Sequence, residues 1–222
     1  MQLEQLTGRV LFPTMQQGPW LPYERFAEVI ASRPNEAVLH SHRLEEVVNY
    51  VISGTVIHQD DRGERAEVEA ESVIVLSTGP ERSHDVYPAE GRAAHWIAIG
   101  VELLGRADET ESVLQIVHLP EAQSLQKGVL VRQVVGSRSP ARSIRGLEVV
   151  DLEFKDTEEV ALRRPCGLGH REVAYVLYGS GSVDGLTVAP GAAVLTEDVP
   201  SVEVRGSPGF RVLIATAPSR PG

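Results

Sequence analysis

The feature that most constrains this chain is an internal repeat. Val48-x-Tyr50-Val51-x-x-Gly54 recurs as Val173-x-Tyr175-Val176-x-x-Gly179, every position displaced by 125 residues, and a period of that length marks two copies of one structural unit. The order of events after each match also recurs. A turn, a short strand, an apolar strand (73–76, then 192–195) and a final apolar strand (97–101, then 212–216) follow in turn. From residue 37 onward the text is a meander of short Val- and Ile-rich segments (37–42, 46–53, 55–60, 66–71, 72–78, 84–88 and 95–101) separated by Gly, Pro or charged turns, which is strand chemistry. Asp60-Asp61-Arg62-Gly63 reads as a hairpin turn because Gly63 accepts a positive φ. The short opening stretch 21–32 leans towards extended structure. Two units built this way predict an all-β chain of two jelly-roll barrels, with a first barrel over 1–103, a polar connecting segment over 104–145 and a second barrel over 146–222.

The chemistry-bearing residues concentrate in the first copy. On an extended strand His40 and His42 share a face, roughly 7 Å apart at the backbone, and neutral imidazole is a ligand of zinc, iron, copper and nickel. Two polar residues on a wet strand face are the bland alternative. At the repeat offset these positions become Pro165 and Gly167, neither of which has a donor side chain, so any metal belongs to the first copy alone. The formal charge of −10, with Lys and Arg scattered, argues against direct nucleic-acid binding. No run of about 18 apolar residues is present, which argues against a membrane span. A single cysteine, Cys166, excludes an internal disulfide and fits a cytoplasmic protein.

His40-Ser41-His42-Arg43, followed by Glu46, Tyr50 and Gly54, resembles the first metal-binding motif of the pirin family, a branch of the cupins. The likeness extends through Ser77-Thr78-Gly79 to His84, through Val86-Tyr87-Pro88, and over the second unit from Gly146 to Ala217. The resemblance implies a bicupin whose N-terminal barrel holds a divalent metal, iron(II) first, with zinc, nickel, manganese or copper as alternatives. The family's three histidine ligands fall on His40, His42 and His84. Its glutamate ligand, two positions after the third histidine, falls on Val86, and the family's Gly and Phe after the arginine are Leu44 and Glu45 here. Three outcomes stay open: a three-histidine site completed by water, replacement of the lost carboxylate by Glu46 or Glu45 with Glu46 preferred, or weak or absent metal binding.

Some pirins are associated with quercetin 2,3-dioxygenase activity. The resemblance therefore implies a metal-dependent oxidoreductase acting on a flavonol-like or other small aromatic substrate, with Glu46 as the catalytic base. The alternative is a non-catalytic regulatory or ligand-binding cupin that engages a small molecule or a protein partner. Among the remaining histidines, His58 is expected at the surface or across a strand, with the barrel mouth as the second option. Trp96, after His95, is expected in the core, His118 and His170 in loops, and Asp85 on the face opposite His84.

Overall fold

The computed structural model describes residues 7–13, 18–32, 40–79, 82–103, 112–126, 128–156, 160–165 and 169–219, with the backbone alone of 7, 8, 40 and 160–165. Cys166, Gly167 and the start of the expected strand 37–42 lie outside them. The described residues contain twenty β-strands and no helix, and none of them forms a helix long and apolar enough to cross a membrane. The chain divides into two compact units, 1–118 and 119–222.

In the first unit, β1 (Thr7–Phe12), β2 (Tyr23–Ala31), β4 (Glu45–Ser53), β7 (Ser72–Ser77), β9 (Ala94–Glu102) and β10 (Val113–His118) form a six-stranded sheet in the order β1-β2-β9-β4-β7-β10. Strands β3 (His40–His42), β5 (Thr55–Asp60), β6 (Arg65–Glu69) and β8 (Arg82–Pro88) form a four-stranded sheet ordered β3-β8-β5-β6. One buried cluster draws on both sheets, with Val51, Ile74, Ala94 and Trp96 from the larger and Val56, Val68 and Val86 from the smaller. Trp96 thus lies in the core, as its apolar surroundings in the sequence suggest.

The second unit repeats the plan. Its six-stranded sheet runs β11 (Gln123–Gln126), β12 (Val129–Val135), β13 (Glu148–Phe154), β20 (Arg211–Pro218), β15 (His170–Tyr178), β18 (Ala193–Glu197). Its four-stranded sheet runs β14 (Val160–Pro165), β19 (Ser201–Gly206), β16 (Gly181–Val183), β17 (Leu186–Val188). Each unit is a two-sheet cupin barrel, so the chain is a bicupin. The stretch 104–145, expected as a connector, contains three strands: β10 pairs with β7 in the first unit, while β11 and β12 extend the second through β13. Its polar composition reflects edge strands with a solvated face rather than a linker. His118 ends β10 and His170 begins β15, so both sit at strand ends rather than in loops.

The repeat has a structural cause. Gly54 and Gly179 both adopt left-handed φ, +77° and +70°. A Cβ on Gly54 would lie 2.1 Å from the Ala93 carbonyl oxygen, and one on Gly179 2.7 Å from that of Gly209. The hairpin after β4, and its counterpart after β15, therefore needs both the conformation and the missing side chain. Gly63 has φ +81° with nothing within 4 Å of such a Cβ. Gly63→Ala should thus cost only the left-handed penalty of about 1–2 kcal/mol. Gly54→Ala should cost clearly more, lowering the melting temperature by about 5 °C or more, and thermal denaturation of the two variants measures the difference.

Candidate metal centre in the first barrel

Register brings the candidate residues together. In the smaller sheet of the first unit, His84 on β8 is opposite His40 on β3 and opposite Asp60 on β5. His42 is opposite Arg82, and His58 is opposite Val86. Directly paired residues share a face and alternate residues return to it. His42, His58, Asp60, Arg82, His84 and Val86 therefore project to one side, and all six are buried. Val56 and Val86 belong to the inter-sheet cluster, so this side is the barrel interior. Asp85 falls on the other face, opposite Gln59, as alternation predicts, and burial raises its pKa.

Three imidazoles meet there. The rings of His42 and His84 are centred 4.8 Å apart at 70°, and those of His58 and His84 5.2 Å apart at 57°. His58 is 0% exposed, and among the described residues neither of its ring nitrogens has a hydrogen-bond partner. The sequence reading places it at the surface or across a strand, with the barrel mouth second, and leaves it out of the candidate site. The signal was the alternation Val56, His58, Asp60 along β5, which puts His58 on the same inward row as a core valine. Burial lowers its pKa, with Arg82 adding to the effect and Asp60 and Glu64 opposing it. His40 is placed by its backbone register alone.

The carboxylate that reaches the cluster is Glu45, not the expected Glu46. Its Oε2 lies 2.5 Å from His42 Nδ1. Glu45 and Val51 are an even number of residues apart on β4 and Val51 is interior, so Glu45 points inward and Glu46 points to the other face. There Glu46 accepts a hydrogen bond from Ser77 Oγ at 3.0 Å. Alternation thus removes Glu46 from the positions of ligand and base expected for it.

Three local devices put Glu45 in place. Leu44 takes a left-handed φ of +57° between β3 and β4 and so turns the chain back over His42. The strain at a non-glycine residue explains a glycine there in the family the motif resembles. Thr78 Oγ1 accepts from the Glu45 amide at 3.1 Å and donates to its carbonyl at 2.8 Å. Finally, a Cβ on Gly100 would stand 1.8 Å from Glu45 Oε1, so the bare backbone of β9 leaves the space the carboxylate fills. Outside Glu45 lies a cavity of about 420 Å³ lined by Pro13, Glu24, Arg25, Arg43, Leu44 and Glu102 as well. Burial raises the Glu24 pKa there, helped by Glu102 and Glu45 and opposed by Arg25.

These groups suit a borderline divalent cation. An ion about 2.1 Å from each ring nitrogen leaves two bound imidazole centres about 4.5–5.5 Å apart, the spacing seen for both ring pairs. A carboxylate on Nδ1 is the usual way to fix the tautomer and turn of a ligating histidine. Among the described residues no three His, Cys, Asp or Glu side chains are grouped so as to hold a metal ion as they stand, and the side chain of His40 is outside that set.

Residues 16–99 match the Pirin family model. The matched stretch lies within the first unit. A Pseudomonas aeruginosa protein named "Putative quercetin 2,3-dioxygenase" is 26% identical over 178 residues, spanning 79% of this chain and 74% of its own. Among solved structures, the quercetin 2,3-dioxygenase of Acinetobacter baumannii superposes with a TM-score of 0.81 at 19% identity, covering 95% of this chain and 73% of that one. The Escherichia coli pirin YhhW in complex with nickel(II) gives 0.79 at 16% identity, covering 96% and 92%. At such identities the two structures establish the shared fold.

The first barrel also buries an ion pair beside the histidines. Arg82 donates to Asp60, whose side chain is inaccessible, and more weakly to Glu64 at 3.3 Å. Burial alone would raise the Asp60 pKa. The Arg82 hydrogen bond and the backbone N–H groups of Glu64 and Arg62 outweigh it and bring the pKa below the ordinary carboxylate value. A depressed carboxyl pKa stabilises the fold above the unfolded value, and that stabilisation fades as pH falls through the folded one. Asp60→Asn should therefore destabilise by about 3–5 kcal/mol at neutral pH, the cost of leaving a buried partner uncompensated. The gap to the parent should narrow below about pH 4, as followed by urea unfolding across pH 7 to 3.

Proposed function

We propose that the first barrel is a divalent-metal site of the pirin type that serves an oxidoreductase of the quercetin 2,3-dioxygenase kind, on a flavonol-like or similar small aromatic substrate. The observation that carries this is the buried imidazole group with Glu45 on His42 Nδ1. The pirin-domain match and the names of the relatives agree with it. His40, His42 and His84 would hold the ion, which supplies Lewis acidity that lowers the pKa of a bound substrate hydroxyl.

The rest of the work falls to the chain itself. Glu45 holds the His42 ring so that Nε2 is the nitrogen left for coordination. The apolar lining from Val51, Val56, Val86 and Trp96 keeps bulk water from the interior and suits an aromatic ligand. The cavity on the Glu45 side, at about 420 Å³, has the size of a small-molecule site and is the entry we assign to the substrate.

Val86 favours a second reading. It stands on the inward face two residues after His84, where the family carries a carboxylate, and it packs into the apolar cluster. With no carboxylate at that point to take the substrate proton, the barrel could bind metal and ligand without turnover, as a regulatory cupin would. Metal analysis and oxygen uptake divide the two. The purified protein should carry stoichiometric divalent metal that is lost in His42→Ala and His84→Ala, and a metal-free parent protein would end both readings. Oxygen consumption with quercetin after iron loading supports the enzyme, whereas a flat trace with metal in place leaves the binding module.

Glu45 gives a separate prediction. Gly100→Ala should push its carboxylate off His42 and weaken metal binding about 10- to 100-fold. Glu45→Ala should do the same, and the double variant should lose no more than either single one. Competitive metal titration measures all three.

A further inference from the structure

A fully buried histidine whose two ring nitrogens have no hydrogen-bond partner is costly to a fold, because each unsatisfied polar atom forfeits its hydration. His58 is such a residue. The second barrel shows that the architecture does not ask for it. At the repeat offset His58 becomes Val183, and the cross-strand pair His58–Val86 becomes Val183–Val204. Val202, two residues before Val204, stands where His84 precedes Val86. Val183, Val202 and Val204 are all fully or almost fully buried in an apolar core cluster. An aliphatic side chain therefore fills the His58 position of this barrel without any polar cost, and an imidazole there calls for a partner that protein atoms do not supply.

The position of His58 says which partner. It is the direct cross-strand neighbour of Val86, the residue at which the pirin pattern places its glutamate ligand. Paired residues in an antiparallel sheet bring their Cβ atoms to about 4.5–5.5 Å on one face, so His58 projects into the space next to the one that glutamate would occupy. Its ring centre is 5.2 Å from that of His84, inside the range for two imidazoles on one ion.

Resting on the metal site assigned above, we propose that His58 is a metal ligand of the first barrel and supplies the donor that Val86 does not. The ligand set is then His40, His42, His58 and His84: four neutral imidazoles from three strands of one sheet. The carboxylate moves out to Glu45, behind His42. Such an all-nitrogen site leaves the full charge of the divalent ion uncompensated by its ligands. It favours the nitrogen-preferring ions, nickel, copper, zinc and iron, over manganese or magnesium.

The full-length protein, stripped of metal and titrated with cobalt(II) or nickel(II), tests this through affinity and the ligand-field absorption bands. His58→Ala is expected to weaken binding by at least tenfold and to shift the cobalt bands. In the parent background Val86→Glu should change affinity little, because the place is taken. In the His58→Ala background Val86→Glu should restore binding. His58→Ala with the parent's affinity and spectrum would overturn the proposal while leaving the metal site intact, provided that His84→Ala abolishes binding. A protein that binds neither metal would overturn both. Should His58→Ala fail to fold, Val86→Glu still decides: a tenfold or greater gain in affinity in the parent background means the fourth position was open and refutes the assignment.

Discussion

The carboxylate of Glu45 against Nδ1 of His42 joins the two sheets of the first barrel at the point where their inward faces turn polar. Everything around it serves that contact. The left-handed residue Leu44 reverses the chain so that β4 starts directly over the end of β3. Thr78 brackets the Glu45 backbone from the end of β7. Gly100 on β9 has no Cβ to occupy the carboxylate's space. A fold held by such a bond accepts a strained leucine, about 1–2 kcal/mol by the cost of left-handed backbone, because moving Leu44 would also move Glu45. The contact is charge-assisted and buried, the class of hydrogen bond worth most inside a protein.

The two barrels make a controlled comparison within one chain. They share the order and pairing of nine strands, the sixth strand of the larger sheet lying at opposite edges, and a glycine in left-handed conformation after the repeat motif, and both bury a tyrosine at the same repeat position, Tyr50 and Tyr175. They differ in what fills the inward face of the smaller sheet. The second barrel places Val183, Val202 and Val204 there, the aliphatic filling expected of a small closed barrel. In the first, His58, His84, Arg82 and Asp60 stand in the corresponding region beside Val56, Val68 and Val86. Replacing packed valines by buried polar groups sacrifices hydrophobic burial and demands full pairing. Asp60 is satisfied by Arg82 and by the backbone N–H groups of Arg62 and Glu64, whereas His58 has no hydrogen-bond partner at either ring nitrogen among the described residues.

Much of this was legible in the sequence because repeat spacing and strand alternation are backbone properties. The offset between Gly54 and Gly179 follows from one hairpin geometry used twice, and the faces of Asp85 and His84 follow from a period of two. What escaped depends on three-dimensional neighbours. Glu46 was preferred over Glu45 by its place in the motif, but Leu44 sets the phase of β4, and the strand begins with Glu45 facing inward. His58 reads from the sequence as a surface or cross-strand residue, with the barrel mouth second; only the pairing with Val86, roughly thirty residues away, puts it beside His84. The polar stretch 104–145 lost its strands to composition, since edge strands such as β10 and β11 carry half-exposed patterns that read as linker.

The departures from the resembled pattern are linked. The pattern that the chain resembles has Gly, Phe and Glu where this one has Leu44, Glu45 and Val86. Read singly, each substitution removes something: backbone freedom, an aromatic ring, a ligand. Read together, they move a carboxylate from β8, facing the interior beside His84, to β4, facing His42 from the opposite sheet. Negative charge is thereby kept near the histidines but withdrawn from direct reach of their centre, since Glu45 Oε2 is already committed to Nδ1 of His42. The vacated position on β8 becomes part of an apolar cluster. Across from it on the adjoining strand stands the imidazole of His58, a buried side chain with no hydrogen-bond partner at either ring nitrogen among the described residues. With His58 as the proposed ligand, the barrel would exchange an anionic donor for a neutral one, and a neutral donor set would leave an ion more electrophilic towards an oxygen substrate than the carboxylate set.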